Sequence, residues 1–563
     1  WNSQALHLGN GYFGASFFGG VEEEVFALSE ASMWTGSPAM GDWEKAGVNP
    51  RARGSIPEIR KAVFSGDARR ADSLIASDVF GSSGSYGHFT SIGDLRIRFA
   101  GHAGNPVDYI RELDLGDAMG RVSYRVDEVR FKREYFCSYP DRLLVMRFSA
   151  DRPGQISMDI SAAVIQDSSA ITVSGNRLTV QGWIDGNNRP FMVTADVITA
   201  GGSIAPGEEL LRIREADEVE VRLTIATDYR LQYPAYRGEQ PGTIIARILE
   251  ESSGMKYGDL KERHVRDYRS LFDRVSLSIN GDTVAESLPT NERFLRFRAG
   301  GPDPGYLVLA FNLGRYMIIS SSRPGTLPAN LQGVWNTFRV APWAGNYQSN
   351  INLQEIYWSC GPTALSECQE PYIDWIEDLS LPGREVARRV YGTSGWVSHT
   401  TGNIWGHAAP IGDHPWGMYP MGAAWHCQHV WDQFQFTGDT LYLEQRAYPL
   451  LKGASEFWLE NLVPFGGYLA TAPSVSAEHG ALLTGEGLDP AYHDYPSDRY
   501  RYSLPGVYQD IQMIHELFTM AARSAGILED TVFEKTLLLA RGRLLPLKTG
   551  RLGQLQEWWQ DID

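Results

Sequence analysis

Positive charge is scarce in this chain of 563 residues: 51 Lys and Arg stand against 68 Asp and Glu, a formal net charge of −17. Phosphate attraction dominates nucleic-acid binding, so this balance argues against a nucleic-acid partner, and an anionic membrane surface would repel the chain. The substrate is expected to be neutral or cationic. Cysteine is scarce too. Cys137, Cys360, Cys368 and Cys427 are too few and too scattered for a disulfide scaffold, and no CxxC or Cys/His cluster has zinc spacing. All four are read as buried thiols. No apolar run approaches the roughly 18 to 20 residues of a membrane span, so no membrane insertion is expected. No charged, apolar, then small-residue leader opens the chain, and its first residue is Trp1 rather than Met. There is no GxSxG for a hydrolase serine, no GxxxxGK[ST] for nucleotide phosphates and no HExxH for zinc. No cofactor and no metal is expected. Internal repeats and low-complexity tracts are missing as well.

What is abundant is aromatic surface. Trp 16, Tyr 26 and Phe 23 make up 12% of the chain, and flat rings with a polar edge suit the C–H faces of sugars. The length predicts two to four domains. The first 230 or so residues alternate apolar and polar at period two, as in Gly93–Phe99, Arg177–Trp183 and Val219–Ile225, which predicts a large antiparallel β-sandwich over 1–234. Apolar spacings of three and four over 242–252 and 258–274 predict a helical linker, 235–295, packed against both neighbours. From 296 to 563 the pattern is helical. Candidate helices are Tyr306–Ser320, Thr363–Asp378, Ala424–Phe436, Thr440–Glu460 with Pro449 as a kink, Val507–Arg523 and Asp530–Leu544. Helices of this length joined by aromatic loops suit a helical barrel. Seven or eight by periodicity fall short of the twelve of a six-pair barrel, and the chain stops just after Trp558-Trp559. The expectation is a fragment cut at both ends, with the barrel incomplete at its C-terminus.

Three segments could carry chemistry. In the first, Trp343 precedes Gln348, Asn350 and Asn352; in an extended segment the two asparagines point to one side and Ile351 to the other, so their amides could hold one water. The competing reading is that loop asparagines satisfy their own turns. In the second, Glu478 follows the apolar, Pro-containing run Thr471–Ala477, where partial burial would favour the protonated form a general acid needs. A helix-capping Glu behind Ser474 or Ser476 is the equal alternative. The third holds His399, Asn403, Trp405 and His407, with Trp416, Trp425, His426 and His429 further on, residues able to line a sugar pocket by stacking and hydrogen bonding. The histidine spacing is too irregular to support a metal site.

Several longer motifs then come into register. Ala5–Gly14, Leu28–Pro38, Ser320–Trp335, Asn350–Gln354, Thr471–Ser476 and Gly553–Trp558, in this order, resemble glycoside hydrolase family 95, the inverting α-L-fucosidases and related α-L-galactosidases, over essentially the whole chain. The resemblance implies an N-terminal β-sandwich, a helical linker and an (α/α)6 barrel, acting on an oligosaccharide or glycan. By motif position it implies Glu478 as general acid and Asn350 and Asn352 as holders of the attacking water. It further implies a base-activating aspartate in an Ile-Asp-Gly-Asn-Phe-Gly segment that this sequence does not contain; Asp561 and Asp563 belong to an earlier motif. Gln348, Trp343, His399 and Trp405 are expected to contact substrate. Gln348 stands where the family commonly has a His near the sugar's C5 substituent, so the preference between fucose and L-galactose is open at that position. Glu355-Ile356 replaces a usual Met-Asn, and Ala477-Glu478-His479 a usual Pro-Glu-Asn. The resemblance also implies a secreted or periplasmic location. The leading expectation is an exo-hydrolase removing terminal, 1,2-linked α-L-fucosyl residues. The alternatives are an α-L-galactosidase, a glycoside phosphorylase and a non-catalytic glycan-binding protein.

Overall fold

The computed structural model describes residues 4–38, 40, 47–281, 283–478, 481–482 and 501–561. Trp1, His479 and Asp563, named above, lie outside them. Two antiparallel sheets form the N-terminal part. The seven-stranded sheet runs, edge to edge, Leu6–Gly9, Phe13–Phe17, Glu23–Glu30, Gly93–Phe99, Ile156–Val164, Leu210–Ala216 and Ser203–Pro206. The eight-stranded sheet runs Ser168–Ser174, Arg177–Ile184, Arg189–Ala200, Glu218–Thr227, Leu143–Ala150, Val129–Ser138, Met119–Val126 and Val107–Asp114. Period-two strands bury alternate side chains between the sheets: in Gly93–Phe99, Leu95, Ile97 and Phe99 are buried while Arg96 and Arg98 face water.

The strand Glu218–Thr227 breaks that alternation and is buried on both faces. The reason lies outside the sandwich. Helices Pro241–Ser252 and Tyr257–Phe272 lay Ile245, Ile248, Leu249 and Leu260 over Met119, Phe136, Leu143, Val145 and Ala226, a second apolar core on the outer face of the eight-stranded sheet. The linker helices therefore form a third layer.

Between strands Glu23–Glu30 and Gly93–Phe99 the chain leaves the sheet as a helical hairpin, Ala52–Ser65 and Ala68–Leu74, which the period-two reading of this region does not contain. Ala52, Ile56, Ile59, Ala62 and Val63 form one buried stripe at helical spacing. Gly66 takes the left-handed conformation (φ 77°) that ends the first helix, and the Asp67 side chain accepts from Arg70 N to start the second.

The C-terminal part is helical. Pro304–Ser321, Ser366–Val386, Gly422–Thr437, Tyr448–Asn461, Tyr508–Ile527 and Thr531–Arg541 are its long elements, with successive ones packed side by side from Ser366 onward. One continuous apolar core runs from Leu8 in the first strand to Leu545, so sheets and helices share their interior. Trp335 is a chief link. Its ring lies where a Cβ on Gly14 would come within 2.5 Å of it, and its Nε1 donates to Leu8 O at 2.7 Å. The glycine is thus explained by a close approach from a loop some 320 residues away. Ser29 Oγ adds a bond to Val334 O at 2.5 Å. Among the described residues no helix is long and apolar enough to cross a membrane.

Candidate active site

Asn350 is placed by a short antiparallel pairing. Tyr347 and Gln348 face Gly402 and Thr401, and Ser349 N donates to Thr400 O at 2.6 Å. Side chains clamp the same stretch: Tyr347 OH donates to Pro328 O (3.1 Å), Gln354 Nε2 to Ser349 O (2.8 Å), and Ser349 Oγ meets His426 Nε2 (3.0 Å). His426 is fully buried, and its other ring nitrogen lies 2.5 Å from Tyr372 OH. Burial drops the imidazole to about 3, so it is neutral, one nitrogen donating and the other accepting. This Tyr372–His426–Ser349 chain fixes the backbone immediately before Asn350.

The helix Asn352–Tyr357 starts at Asn352. The extended geometry expected for Asn350-Ile351-Asn352 therefore does not persist: the chain turns into a helix within the motif. Asn350 is buried, Asn352 half-buried and Ile351 exposed.

The second half of the site is the loop Thr471–Glu478, gripped along its main chain. Arg60, from the helix Ala52–Ser65, donates Nε to Ala472 O at 2.9 Å and Nη2 to Asn461 O and Oδ1 at 3.0 and 2.7 Å. Gly506 N donates to Thr471 O (3.2 Å). Ser503 Oγ accepts from Ser474 N (2.9 Å) and donates to Ser474 O (2.5 Å), and Gln509 Oε1 accepts from Ala477 N (3.1 Å). At the loop's end, Asn350 Nδ2 donates to Glu478 Oε1 at 2.9 Å, joining residues 128 apart in sequence. The other amide atom, Asn350 Oδ1, is buried with no hydrogen-bond partner among the described residues. Glu478 itself is exposed, against the expectation of partial burial, because the preceding apolar run, Ala472 to Val475, turns inward and leaves the carboxyl at the loop's outer end. A carboxyl open to solvent beside an inward-facing amide oxygen is an arrangement able to pass a proton to one group while a neighbouring acceptor orients another.

Residues 256–563 match the glycosyl hydrolase family 95 catalytic domain, and residues 1–232 match the N-terminal domain of glycosyl hydrolase family 65. "Alpha-L-fucosidase 2" of Arabidopsis thaliana is 33% identical over 100% of this chain and 68% of its own length. The chain belongs to glycoside hydrolase family 95. "Probable alpha-fucosidase A" of Aspergillus niger is 31% identical over 99% of this hydrolase and 70% of its own length. A solved structure titled "Putative kojibiose phosphorylase from human microbiome" superposes with a TM-score of 0.62 at 11% identity, covering 98% of the hydrolase and 69% of that chain. At that identity the likeness shows the fold alone: a β-sandwich followed by an (α/α)6-barrel helical domain.

The other residues expected at the site divide. Trp343 is 75% exposed in the turn Pro342–Gly345, where it and Ala344 take left-handed backbone angles (φ 48° and 60°), each a cost of about 1 kcal/mol or more for a residue with a Cβ. Phe89 holds this turn from the sandwich, its N donating to Ala344 O (2.8 Å) and its O accepting from Ala341 N (3.1 Å). A tryptophan held outward this way offers an open face for stacking. Gln348 is half-buried in the strand leading to Asn350. His399 and Trp405, expected against substrate, lie in the core, each 2% exposed. His399 spends both ring nitrogens on Tyr391 OH (2.7 Å) and Ala408 O (2.8 Å), and burial lowers it to about 3. Trp405 donates to Thr35 O (3.0 Å) and meets Tyr229 and Tyr236 edge-on, docking the helical domain on the sandwich and linker. Imidazole and indole are as well suited to closing a domain junction as to lining a sugar pocket, and here the polar edges are consumed by protein. Among the described residues no group of three or more His, Cys, Asp or Glu is placed to hold a metal, and the four cysteines are buried and free.

Arg60 and Gln509 are supporting residues that motif reading missed, and His426, expected to line a sugar pocket, is instead buried behind Ser349. Arg60 was readable only through the helical spacing of Ile56, Ile59 and Val63, which puts it on the helix edge beside that stripe.

Proposed function

We propose that this family 95 hydrolase removes terminal, 1,2-linked α-L-fucosyl residues from glycans with inversion at the anomeric carbon. The observation that carries the reading is the contact between Asn350 Nδ2 and Glu478 Oε1, with the Asn350 carbonyl left as a buried acceptor that has no partner among the described residues. Glu478 donates its proton to the departing glycosidic oxygen. Asn350 Oδ1 and Asn352 accept from the attacking water and aim it at the opposite face of the sugar. This departs from the ordinary pair of carboxylates, since an amide orients water but deprotonates it poorly; the resemblance assigns that step to an aspartate in a motif this sequence does not contain. Trp343 and Gln348 contact the sugar. The names of the Arabidopsis and Aspergillus relatives support fucose as the group released.

Hydrolysis of 2'-fucosyllactose by the full-length protein, followed by NMR, tests the reading. β-Fucose is expected first, and Glu478→Gln is expected to lower turnover about 10²–10⁴-fold. Initial α-fucose overturns inversion, and near-native turnover in the variant removes Glu478 from the mechanism. Gln348 favours one second reading, α-L-galactosidase, because a different hydrogen-bonding group faces the position where the two sugars differ. Faster release from a matched L-galactosyl substrate would establish it.

A further inference from the structure

Beneath the acid loop lies a carboxyl group that no step above uses. Asp510, in the first turn of the helix Tyr508–Ile527, is 0% exposed, and neither carboxyl oxygen has a hydrogen-bond partner among the described residues. Thr471 Oγ1 and Ser474 Oγ, the two hydroxyls of the loop that face it, are buried and equally unpartnered. Among the described residues no cation acts on the carboxyl, and the buried Tyr419, whose hydroxyl reaches Met513 Sδ at 3.5 Å, is a further polar neighbour. An ionised carboxylate in such a place is strongly disfavoured, so the group keeps its proton. A protonated carboxyl has one donor and spare acceptors, and each hydroxyl has one donor and two acceptor sites, so these three side chains can satisfy one another.

We propose that Asp510 is a positioning residue of the acid loop: its protonated carboxyl engages the Thr471 and Ser474 hydroxyls and so sets the direction in which the loop delivers Glu478 to Asn350. The proposal rests on Glu478 being the general acid. Burial lifts Asp510 to about 7, against the pull of the two hydroxyls, so the protonated form prevails below neutral pH. Arg60, Gly506, Ser503 and Gln509 hold the loop's main chain. Asp510 addresses its side chains, at two positions three residues apart on the run leading to Glu478.

The test compares Asp510→Asn, which copies the neutral acid's shape and polarity, with Asp510→Leu in the full-length protein. Two readouts are taken: kcat and KM on 2'-fucosyllactose, and hydrogen exchange of loop amides 471–478. The Leu variant is expected to lose about tenfold or more in kcat with KM within about twofold, and to speed loop exchange; the Asn variant stays within about threefold on both. Equal damage by Asn and Leu overturns the protonated role, and native kcat with native exchange in the Leu variant overturns positioning altogether. If the wild-type protein turns over no fucoside, the functional reading fails while the exchange comparison still decides this one. Should the Leu variant not fold, Thr471→Val with Ser474→Ala removes the partners instead, and the same loss of kcat and loop protection is expected; native values overturn the proposal.

Discussion

Replacing Arg60 by Met is the sharpest test of how the site is held. Met keeps the apolar stem that packs along the helix Ala52–Ser65 and removes three charge-assisted bonds, to Ala472 O, Asn461 O and Asn461 Oδ1. Hydrogen bonds from a charged donor contribute about 1.5–3 kcal/mol each at best, and Arg60 is only partly buried, so the low end applies and the three overlap. The acceptors fare worse: Ala472 is 2% and Asn461 4% exposed, so their oxygens are left without a donor in a place water reaches poorly. A loss of about 2–4 kcal/mol in urea denaturation is expected. Because Ala472 lies six residues before Glu478 on the same loop, a fall of about tenfold in kcat on 2'-fucosyllactose is expected too, with KM within about twofold. A double-mutant cycle with Asn461→Ala assigns the coupling to the pair. Lost stability with native kcat would refute the link from Arg60 to catalysis, and an unchanged urea midpoint would refute the bonds' contribution to the fold.

Two further outcomes follow from buried groups. Glu30, 8% exposed and accepting from Ser32 N (2.8 Å) and Ser32 Oγ (2.6 Å), is raised by burial to about 7. The folded protein therefore keeps a proton that the unfolded chain releases nearer 4.5, so stability declines as pH rises from about 4.5 to 7, and Glu30→Gln is expected to flatten that decline by up to about 3 kcal/mol in urea midpoints across the window. His426→Phe fills the same space without the nitrogens that reach Ser349 and Tyr372, and is expected to lower kcat by about tenfold with little change in KM; an equal kcat would show that the backbone before Asn350 needs no such anchor.

The sequence and the structure part company for physical reasons that can be named. Strand alternation reads cleanly where one face is buried, as in Gly93–Phe99, and the long helices stand close to their apolar periodicity, Gly422–Thr437 against an expected Ala424–Phe436. The hairpin Ala52–Leu74 was missed although Ile56, Ile59 and Val63 carry a helical period, because the alternation of the flanking strands was extended across the whole of 1–234. Asn350 and Glu478 were each singled out from a motif as a candidate. Their meeting was not legible, since no local pattern reports a contact across 128 residues. His399 and Trp405 went astray for a different reason. An aromatic or imidazole with one polar edge has the same sequence signature whether that edge meets a sugar or a backbone carbonyl, and only the fold supplies Ala408 O and Thr35 O.

That distinction bears on what the sandwich is for. It contributes neither Glu478 nor the asparagines, yet each segment that presents them is tied to it. Strands Leu6–Gly9 and Phe13–Phe17 seat Trp335, Phe89 pairs with the turn that exposes Trp343, Tyr86 OH donates to Gly402 O (2.7 Å) behind the strand leading to Asn350, and Arg60 grips the acid loop. Loops carrying reactive groups pay an entropic cost to be ordered, and a helical domain whose helices pack chiefly on their sequence neighbours offers such loops few long-range partners. The N-terminal part supplies them from outside: its first strands seat Trp335, and the segment inserted between strands Glu23–Glu30 and Gly93–Phe99 brings Arg60, Tyr86 and Phe89. Contacts from the N-terminal part thus add to those within the helical part in holding Asn350 and Glu478 together, and substitutions such as Arg60→Met are expected to register in kcat rather than in substrate binding.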